Sequence, residues 1–300
     1  MLILIWGITG LVGLPCAKAA LARGHSVRRL ARNPLKLDKD LLESLEGFIQ
    51  QDDTHDIATH ERSVSGVYAI ISARSGSAEL VLEGQLLLLR AAERAGIKIF
   101  HGSSWNLDWS KAKFGDQEGY DPIISFWWQT RLASSIEAQW MFTGAIVEYI
   151  FERSAFVWDR QTKTFSFWGK PETKIPYTTA DDLAAYTLEA IAAPDATEGE
   201  FIRVESFRAS NDEVVQVYEA ARGGRVKAHL NRIGSREDAE KALAKGRATI
   251  PKNRFREYIW PVYAIHDEIG DWDYEPVDVA RFPQVKQTSL EEWLEVYPEI

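Results

Sequence analysis

A chain of 300 residues with 45% hydrophobic and 26% charged side chains has an ordinary globular composition, long enough for one large domain or a core domain with a smaller lobe. Its net charge of −9 argues against nucleic acid or an anionic membrane as partner, and no apolar run approaches the length of a bilayer span. A single cysteine, Cys16, excludes an internal disulfide framework and fits a reducing, cytoplasmic compartment.

Leu2 to Trp6 is a short apolar run with β-branched members, the profile of a strand buried on both faces. It lacks the basic flank and cleavage site of a signal peptide. Gly7, Gly10 and Gly13 follow at three-residue spacing, ahead of an amphipathic run from Val12 to Arg23. A strand turning sharply into a helix needs glycine at the turn, where backbone approaches a ligand, and where helix packs on strand. The free N–H groups and positive dipole end of that helix favour a pyrophosphate, which makes Gly7, Thr9, Gly10, Leu11, Val12 and Gly13 candidate dinucleotide contacts. Cys16, inside the helix, reads as a small core residue.

Gly24-His25 makes a turn, and Ser26 to Ala31 reads as the second strand, ending in Arg32-Asn33-Pro34. An acidic residue at this strand's end binds a ribose 2′-hydroxyl, whereas an arginine accommodates a 2′-phosphate. No Asp or Glu occurs between Met1 and Leu37, so Arg32, with Arg28 or Lys36 as further cations, points to NADP(H). Leu41 to Glu46 is a predicted short helix, Gly47 to Gln50 a third strand, and Asp52 a candidate contact beside the adenine pocket. A helix from Ile57 to Ser65 and a strand from Val67 to Ser72 follow, with Ala73 and Arg74 in the loop at that strand's carboxyl end. Leu80 to Gly96 is a predicted long helix closed by its glycine, and Ile97 to His101 a fifth strand ending in Gly102-Ser103-Ser104-Trp105. Five alternations of strand and helix imply an α/β fold, a doubly wound parallel sheet whose ligand sits outside the strands' carboxyl ends.

Beyond an irregular stretch to Pro122, a helix is expected from about Ile123 to Thr143 and a strand from Ala145 to Phe151. The alternation then becomes ragged. Phe165 to Trp168 and Phe201 to Val204 are strand-like, and Thr178 to Asp182 caps a helix running from Leu183 to Ala192. Ser210 with Glu213, Ser235 with Asp238 and Ser289 with Glu292 mark three capping boxes. The expected division is a nucleotide-binding domain over 1–150 and a C-terminal substrate lobe over 151–300, interleaved with it and folding back over the cofactor cleft.

The Gly7-x-Thr9-Gly10-x-x-Gly13 pattern, the Gly24-His25-x-Val27 turn and Arg32-Asn33-Pro34 resemble the NmrA-like and isoflavone-reductase-like branch of atypical short-chain dehydrogenases. Gly102-Ser103-Ser104, Ala180-Asp181-Asp182-Leu183-Ala184 and Ser210-x-x-Glu213 agree with it. The resemblance implies a Rossmann domain binding NADP(H) and a smaller lobe shaping a substrate pocket. It also implies either reduction of secondary metabolites or redox sensing without turnover. The usual catalytic groups do not carry over. The chain has no Tyr-x-x-x-Lys, in which lysine depresses the tyrosine pKa for proton transfer. The lysine that isoflavone-reductase relatives keep about eleven residues before the glycine matched by Gly144 falls on Ala133.

That leaves Ser103 and Ser104 as the nearest hydroxyl donors and Arg131 as an orienting cation, although strand-end serines equally serve to cap backbone. Eleven tryptophans are the compositional oddity. Trp105, Trp127, Trp128, Phe156, Trp158 and Trp260 are the expected walls of a pocket for a bulky, flat, hydrophobic substrate, with core packing as the competing role. A cationic C=N substrate would need no proton donor, only ring faces or a carboxylate, for which Glu137, Glu148 and Glu152 lie nearest in sequence. The histidines show no metal-ligand spacing. A regulator that binds NADP without turnover is the alternative, and monomer and homodimer both stay open.

Overall fold

The structure, a computed structural model, describes every residue except 33–36, 154–156 and 200. The chain forms two compact units: residues 1–105, 122–142 and 183–202 make the first, and 106–121, 143–182 and 203–300 the second.

The first unit is built on β1 (Leu2–Trp6), β2 (Ser26–Ala31), β3 (Gly47–Gln50), β4 (Ala69–Ser72) and β5 (Ile99–His101). They form one sheet in the order β3-β2-β1-β4-β5, and every neighbouring pair is parallel. Ile3, Leu4 and Ile5 are fully buried, as a strand covered on both faces requires. The strand order reverses between β1 and β4, which places the glycine turn after Trp6 and the loop after Ser72 at the switch point. Around the sheet run α1 (Gly13–Ala22), α2 (Lys39–Ser44), α3 (Ile57–Val64) and α4 (Gln85–Arg94). Asp38 and Asp56 cap α2 and α3 by accepting from the N–H groups of Leu41 and Thr59. Cys16 is buried in α1, with its thiol pushed up to about 12 by desolvation, so it is the core residue its position suggested.

Two long apolar stretches behave differently from expectation. The helix expected over 80–96 is α4 preceded by a π-helical turn at Glu79–Gly84. Gly84 lies under the indole of Trp6, where a Cβ would approach a ring carbon to 2.6 Å. The helix expected to reach Thr143 ends as α5 (Asp121–Ala133), and Trp140–Phe142 is instead a strand, β6. Ser134 breaks the run. Its hydroxyl donates to Glu93 and accepts from the Ile136 N–H, so the chain turns before the apolar triplet. β6 joins β11 (Phe201–Arg203), and a bridge between His101 and Gln139 ties this part to β5.

The second unit has two three-stranded sheets. One has the order β12-β10-β7, with β7 (Ala145–Ile146), β10 (Ile175–Thr178) and β12 (Phe207–Ala209). The other has the order β13-β9-β8, with β8 (Trp158–Asp159), β9 (Thr164–Trp168) and β13 (His229–Gly234). The strand expected over 145–151 is only the two residues of β7, followed by a π-helical turn at Tyr149–Arg153. The helix after Thr179 is α6 (Ala180–Ala192), which passes into the first unit at Leu183. All three capping boxes are present, at Ser210 for α7 (Asn211–Ala221), Ser235 for α8 (Arg236–Thr249) and Ser289 for α10 (Leu290–Val296). Between α8 and α10 lies α9 (Trp260–Ile269), closed by Gly270 at φ +69°.

Candidate functional site

Gly7 takes φ +93°, and a Cβ there would sit 2.5 Å from the Ala73 carbonyl oxygen. A Cβ on Gly13 would sit 2.4 Å from the Gly7 oxygen, and one on Gly10 3.1 Å from the same atom. The three glycines therefore let β1, α1 and the loop after β4 close on one another, as the spacing implied. The Gly10 N–H donates back to the Gly7 carbonyl at 2.9 Å. Val12, the N-cap of α1, offers no side-chain cap, and Thr9 stands exposed at the tip of the turn. Within the first turn of α1 the Leu14 N–H donates to the Gly10 carbonyl at 3.2 Å and Pro15 has none, so the N–H groups of Leu11, Val12 and Gly13, at the sheet's switch point, are the ones placed to receive a phosphate.

Beside this turn lies a cavity of about 300 Å³ whose lining includes Trp6, Arg32, Asp52, Thr54, Arg74 and Leu80. The Arg74 guanidinium lies 5.2 Å from the centre of the Trp6 ring, and its Nε is buried without a hydrogen bond. Burial, and next to it the charge of Arg32, lowers the Arg74 pKa. Two cations share one cavity, and among the described residues neither has a carboxylate in salt-bridge reach. Asp52, Asp53 and Glu79 share the lining, so the two arginines offer their donors to an anion within a cavity of mixed charge. Trp6 is fixed from behind, its indole N–H donating to Gln51 Oε1 at 2.9 Å while His60 packs edge-on at 5.7 Å. Asp52 accepts from the Gln50 amide at 2.8 Å.

Of the other cations expected here, Arg28 is engaged elsewhere. Arg28 forms a bidentate pair with Glu46, at 2.8 and 3.0 Å, and donates to the Ser63 carbonyl at 3.1 Å. It serves as a brace between β2 and its neighbours. Lys36, with Asn33 and Pro34, lies outside the described residues.

At the end of β5, Gly102 makes room for protein rather than ligand, since a Cβ would lie 2.5 Å from the Trp140 ring. Ser104 is 3% exposed, and its hydroxyl works as a staple between β5 and β6. It faces the carbonyls of Gly102 and Met141 at 3.2 and 3.3 Å and accepts from the Met141 N–H at 2.8 Å. That is the backbone-capping role, and it removes Ser104 as a proton donor. Ser103 is half-buried and its N–H donates to Gln85 Oε1 at 3.0 Å, while its hydroxyl makes no hydrogen bond among the described residues. Arg131 is exposed on α5, 5.8 Å from the centre of the Trp127 ring.

The expected aromatic walls divide. Trp127 and Trp128 pack together at 4.7 Å on α5, Trp127 also against Phe201, and Trp128 is 43% exposed. Trp105 is a core residue of the first unit, stacked 4.9 Å from His101 with its N–H on Thr187. Trp158 is a core residue of the second, 3% exposed against Phe151 and Tyr218. Neither can line a pocket, because their rings are spent on packing. Phe156 lies outside the described residues. Trp260 is half-buried on α9, stacked 5.9 Å from Tyr149 and tilted against Tyr263 at 5.8 Å.

Glu137 and Glu152 are exposed, and Glu148 is 6% exposed with both oxygens engaged inside the second unit. A carboxylate that the sequence reading missed stands on α9: Asp267, half-buried, one turn after Tyr263. An aspartate in an amphipathic helix reads as a solvent-facing residue; the available signal was its place on the stripe of Trp260 and Tyr263.

The doubly wound parallel sheet with its glycine turn and two-arginine cavity defines a Rossmann-type nucleotide-binding protein. The chain belongs to the NmrA-like family, which its residues 1–294 match. Over 320 residues it is 27% identical to the bifunctional pinoresinol-lariciresinol reductase of Forsythia intermedia, with 98% of each chain covered. Among solved structures, it is similar to AtPrR2 with NADP+ and (+)-pinoresinol, with TM-score 0.77, 20% identity and 98% of each chain covered. The leucoanthocyanidin reductase–NADPH complex from Vitis vinifera gives TM-score 0.75 at 18% identity, with 99% of each chain covered.

Proposed function

We propose that this protein is an NADPH-dependent reductase of bulky aromatic natural products. The observation that carries the reading is the cavity beside the glycine turn, where Arg32 and Arg74 converge and, among the described residues, neither forms a salt bridge. The residues fit the dinucleotide: the turn leaves no room for side chains at Gly7 and Gly13, the N–H groups of Leu11, Val12 and Gly13 stand at the start of α1, and the arginines suit a 2′-phosphate. When bound, the nicotinamide supplies a hydride. Asp52 and Thr54 would border the adenosine, and Trp6 holds the Arg74 guanidinium in place through its ring face. The bulky aromatic substrate class is supported by the relatives, one of which is complexed with (+)-pinoresinol.

The finer part of the proposal concerns the electrophile. Reducing a ketone leaves an alkoxide that needs a proton, whereas reducing an iminium leaves a neutral amine. The chain has Ala133 where relatives keep a lysine, no Tyr-x-x-x-Lys, and a Ser104 whose hydroxyl is committed to backbone. These features favour a cationic or conjugated C=N substrate.

NADPH should bind more tightly than NADH by on the order of tenfold to a hundredfold, the worth of charge-assisted contacts to a 2′-phosphate. Calorimetric titration of both cofactors checks it, with Arg32→Ala and Arg74→Ala each expected to narrow the gap mainly through NADPH. Equal affinities in the unaltered protein would overturn the assignment. Single-turnover NADPH oxidation with matched iminium and ketone substrates then tests the electrophile, with Ser103→Ala as the variant that only a ketone reductase should feel. Tight NADPH binding without oxidation by any bulky electrophile would instead indicate the regulatory role.

A further inference from the structure

Asp267 is a half-buried carboxylate of the second unit that, among the described residues, makes no ion pair and accepts no hydrogen bond. Its acidic neighbours are differently placed. Asp271 holds His266 Nδ1 at 2.9 Å, and Arg208 Nη1 donates to both carboxylate oxygens of Asp273 at 2.8 and 2.9 Å. Tyr120 and Tyr177 face Asp267 from neighbouring elements. Tyr120 is 2% exposed, and its buried hydroxyl has no well-formed hydrogen bond although it lies beside that of Tyr263. Tyr263 in turn is held by the Gln117 amide, which donates to its hydroxyl at 2.9 Å. Neither the Tyr120 hydroxyl nor the Asp267 carboxylate reaches the other with a hydrogen bond. On α9 the spacing of Trp260, Tyr263 and Asp267 places two ring faces and a carboxylate on one side of the helix, and all three are half-buried. Tyr149, 43% exposed, extends the aromatic surface by stacking on Trp260.

Aromatic faces beside an unpaired carboxylate are what recognises an organic cation carried on a flat, apolar body. We infer that Asp267, with Trp260, Tyr263 and Tyr120, forms a subsite for the positively charged nitrogen of a cyclic iminium or ammonium ligand. This rests on the reductase reading for its place in catalysis, but the binding itself does not require cofactor. The subsite is also sensitive to protons. Burial first, and then the charges of Asp273 and Asp271, raises the Asp267 pKa to about 8 in the ligand-free protein. The groups facing it are Tyr120, Tyr177 and Tyr263, with Asp271 hydrogen-bonded to His266 and Asp273 paired with Arg208. Cation binding should therefore release a proton below this pH and need no release above it.

The test is calorimetry on the cofactor-free full chain, using N-methyl dihydroisoquinolinium as the probe and α-tetralone as its neutral isostere. The cation is expected to bind at least about tenfold more tightly than the ketone above pH 8, and to lose about tenfold for each pH unit below it. Asp267→Asn should abolish both the preference and the pH slope, while Asp271→Asn should keep the preference and only move the onset of the slope to lower pH. Thermal unfolding checks that the variants fold, and Tyr120→Phe provides a milder second probe that should weaken the cation. Equal binding of the two probes by the unaltered protein, or a preference that survives in Asp267→Asn, would overturn the proposal. NADPH titrated in parallel keeps the two readings apart, because failure there sinks the reductase and leaves the subsite result standing.

Discussion

Gly10→Val and Gly13→Val should both lose NADPH affinity by on the order of a hundredfold or more, yet differ sharply in stability. The difference follows from what a side chain would meet. At Gly13 a Cβ would lie 2.4 Å from the Gly7 oxygen, 2.8 Å from its carbonyl carbon and 2.8 Å from the Ile8 Cα. All three are backbone atoms of the turn itself, so α1 must retreat from β1. Such overpacking costs about 1–3 kcal/mol. At Gly10 the only close atom is the Gly7 oxygen at 3.1 Å, with the Ala73 oxygen next at 4.0 Å. The protein can accept valine there, and what the valine fills is the space a pyrophosphate needs. Urea unfolding alongside cofactor titration separates the two outcomes. A Gly10→Val protein that binds NADPH normally would mean that the dinucleotide sits elsewhere.

The first unit was legible because its strands are short apolar runs punctuated by glycine, and the bounds of β1, β2 and β3 match the expectation. Length and periodicity decide there, since each run is too short for a buried helix. The same rule fails for Trp140-Met141-Phe142. Three apolar residues following a helical stretch continue its pattern, and only Ser134, turning its hydroxyl onto Glu93 and Ile136, ends the helix. The second unit was readable at its helix starts, where Ser210, Ser235 and Ser289 carry their own local signal. Its sheets were not, because parallel pairing of β13 with β9 joins segments far apart in sequence.

The site shows the same division between local and distant information. A glycine at a turn reports its own backbone, so Gly7, Gly10 and Gly13 could be placed from spacing alone. Arg28 and Arg32 sit four residues apart at one strand, and composition does not say which is free. Glu46 and the backbone after Val64 claim the first, while the second faces the cavity with Arg74. Tryptophans are ambiguous for a related reason. Trp158 and Trp260 are the same large ring, and only the packing of Phe151 and Tyr218 around one, and the half-open side of α9 under the other, tells core from surface.

Glu148→Gln should convert a pH-dependent part of the stability into a fixed one. The Glu148 carboxyl is 6% exposed, accepting from the Ala180 N–H on Oε2 and from the Trp293 indole N–H on Oε1, each at 2.9 Å. It thereby ties the start of α6 to α10. Burial outweighs these two bonds and pushes the pKa up from 4.5 to about 7. The native state therefore holds a proton more tightly than the unfolded chain. The stability this contributes is complete below about 4.5 and is lost as the pH rises through about 7. With one pKa unit worth about 1.4 kcal/mol, the whole loss is about 3 kcal/mol. Glutamine keeps the shape and cannot titrate, but its NH2 must face one of the two donors, which costs about 1–3 kcal/mol at every pH. Unfolding both proteins in urea across this range isolates the effect, because every other titrating group cancels in the difference. The variant should be the less stable at the acid end, and the gap should close or reverse above about 7. A difference that stays flat with pH would show that Glu148 keeps one charge state throughout, and that its two hydrogen bonds outweigh its burial.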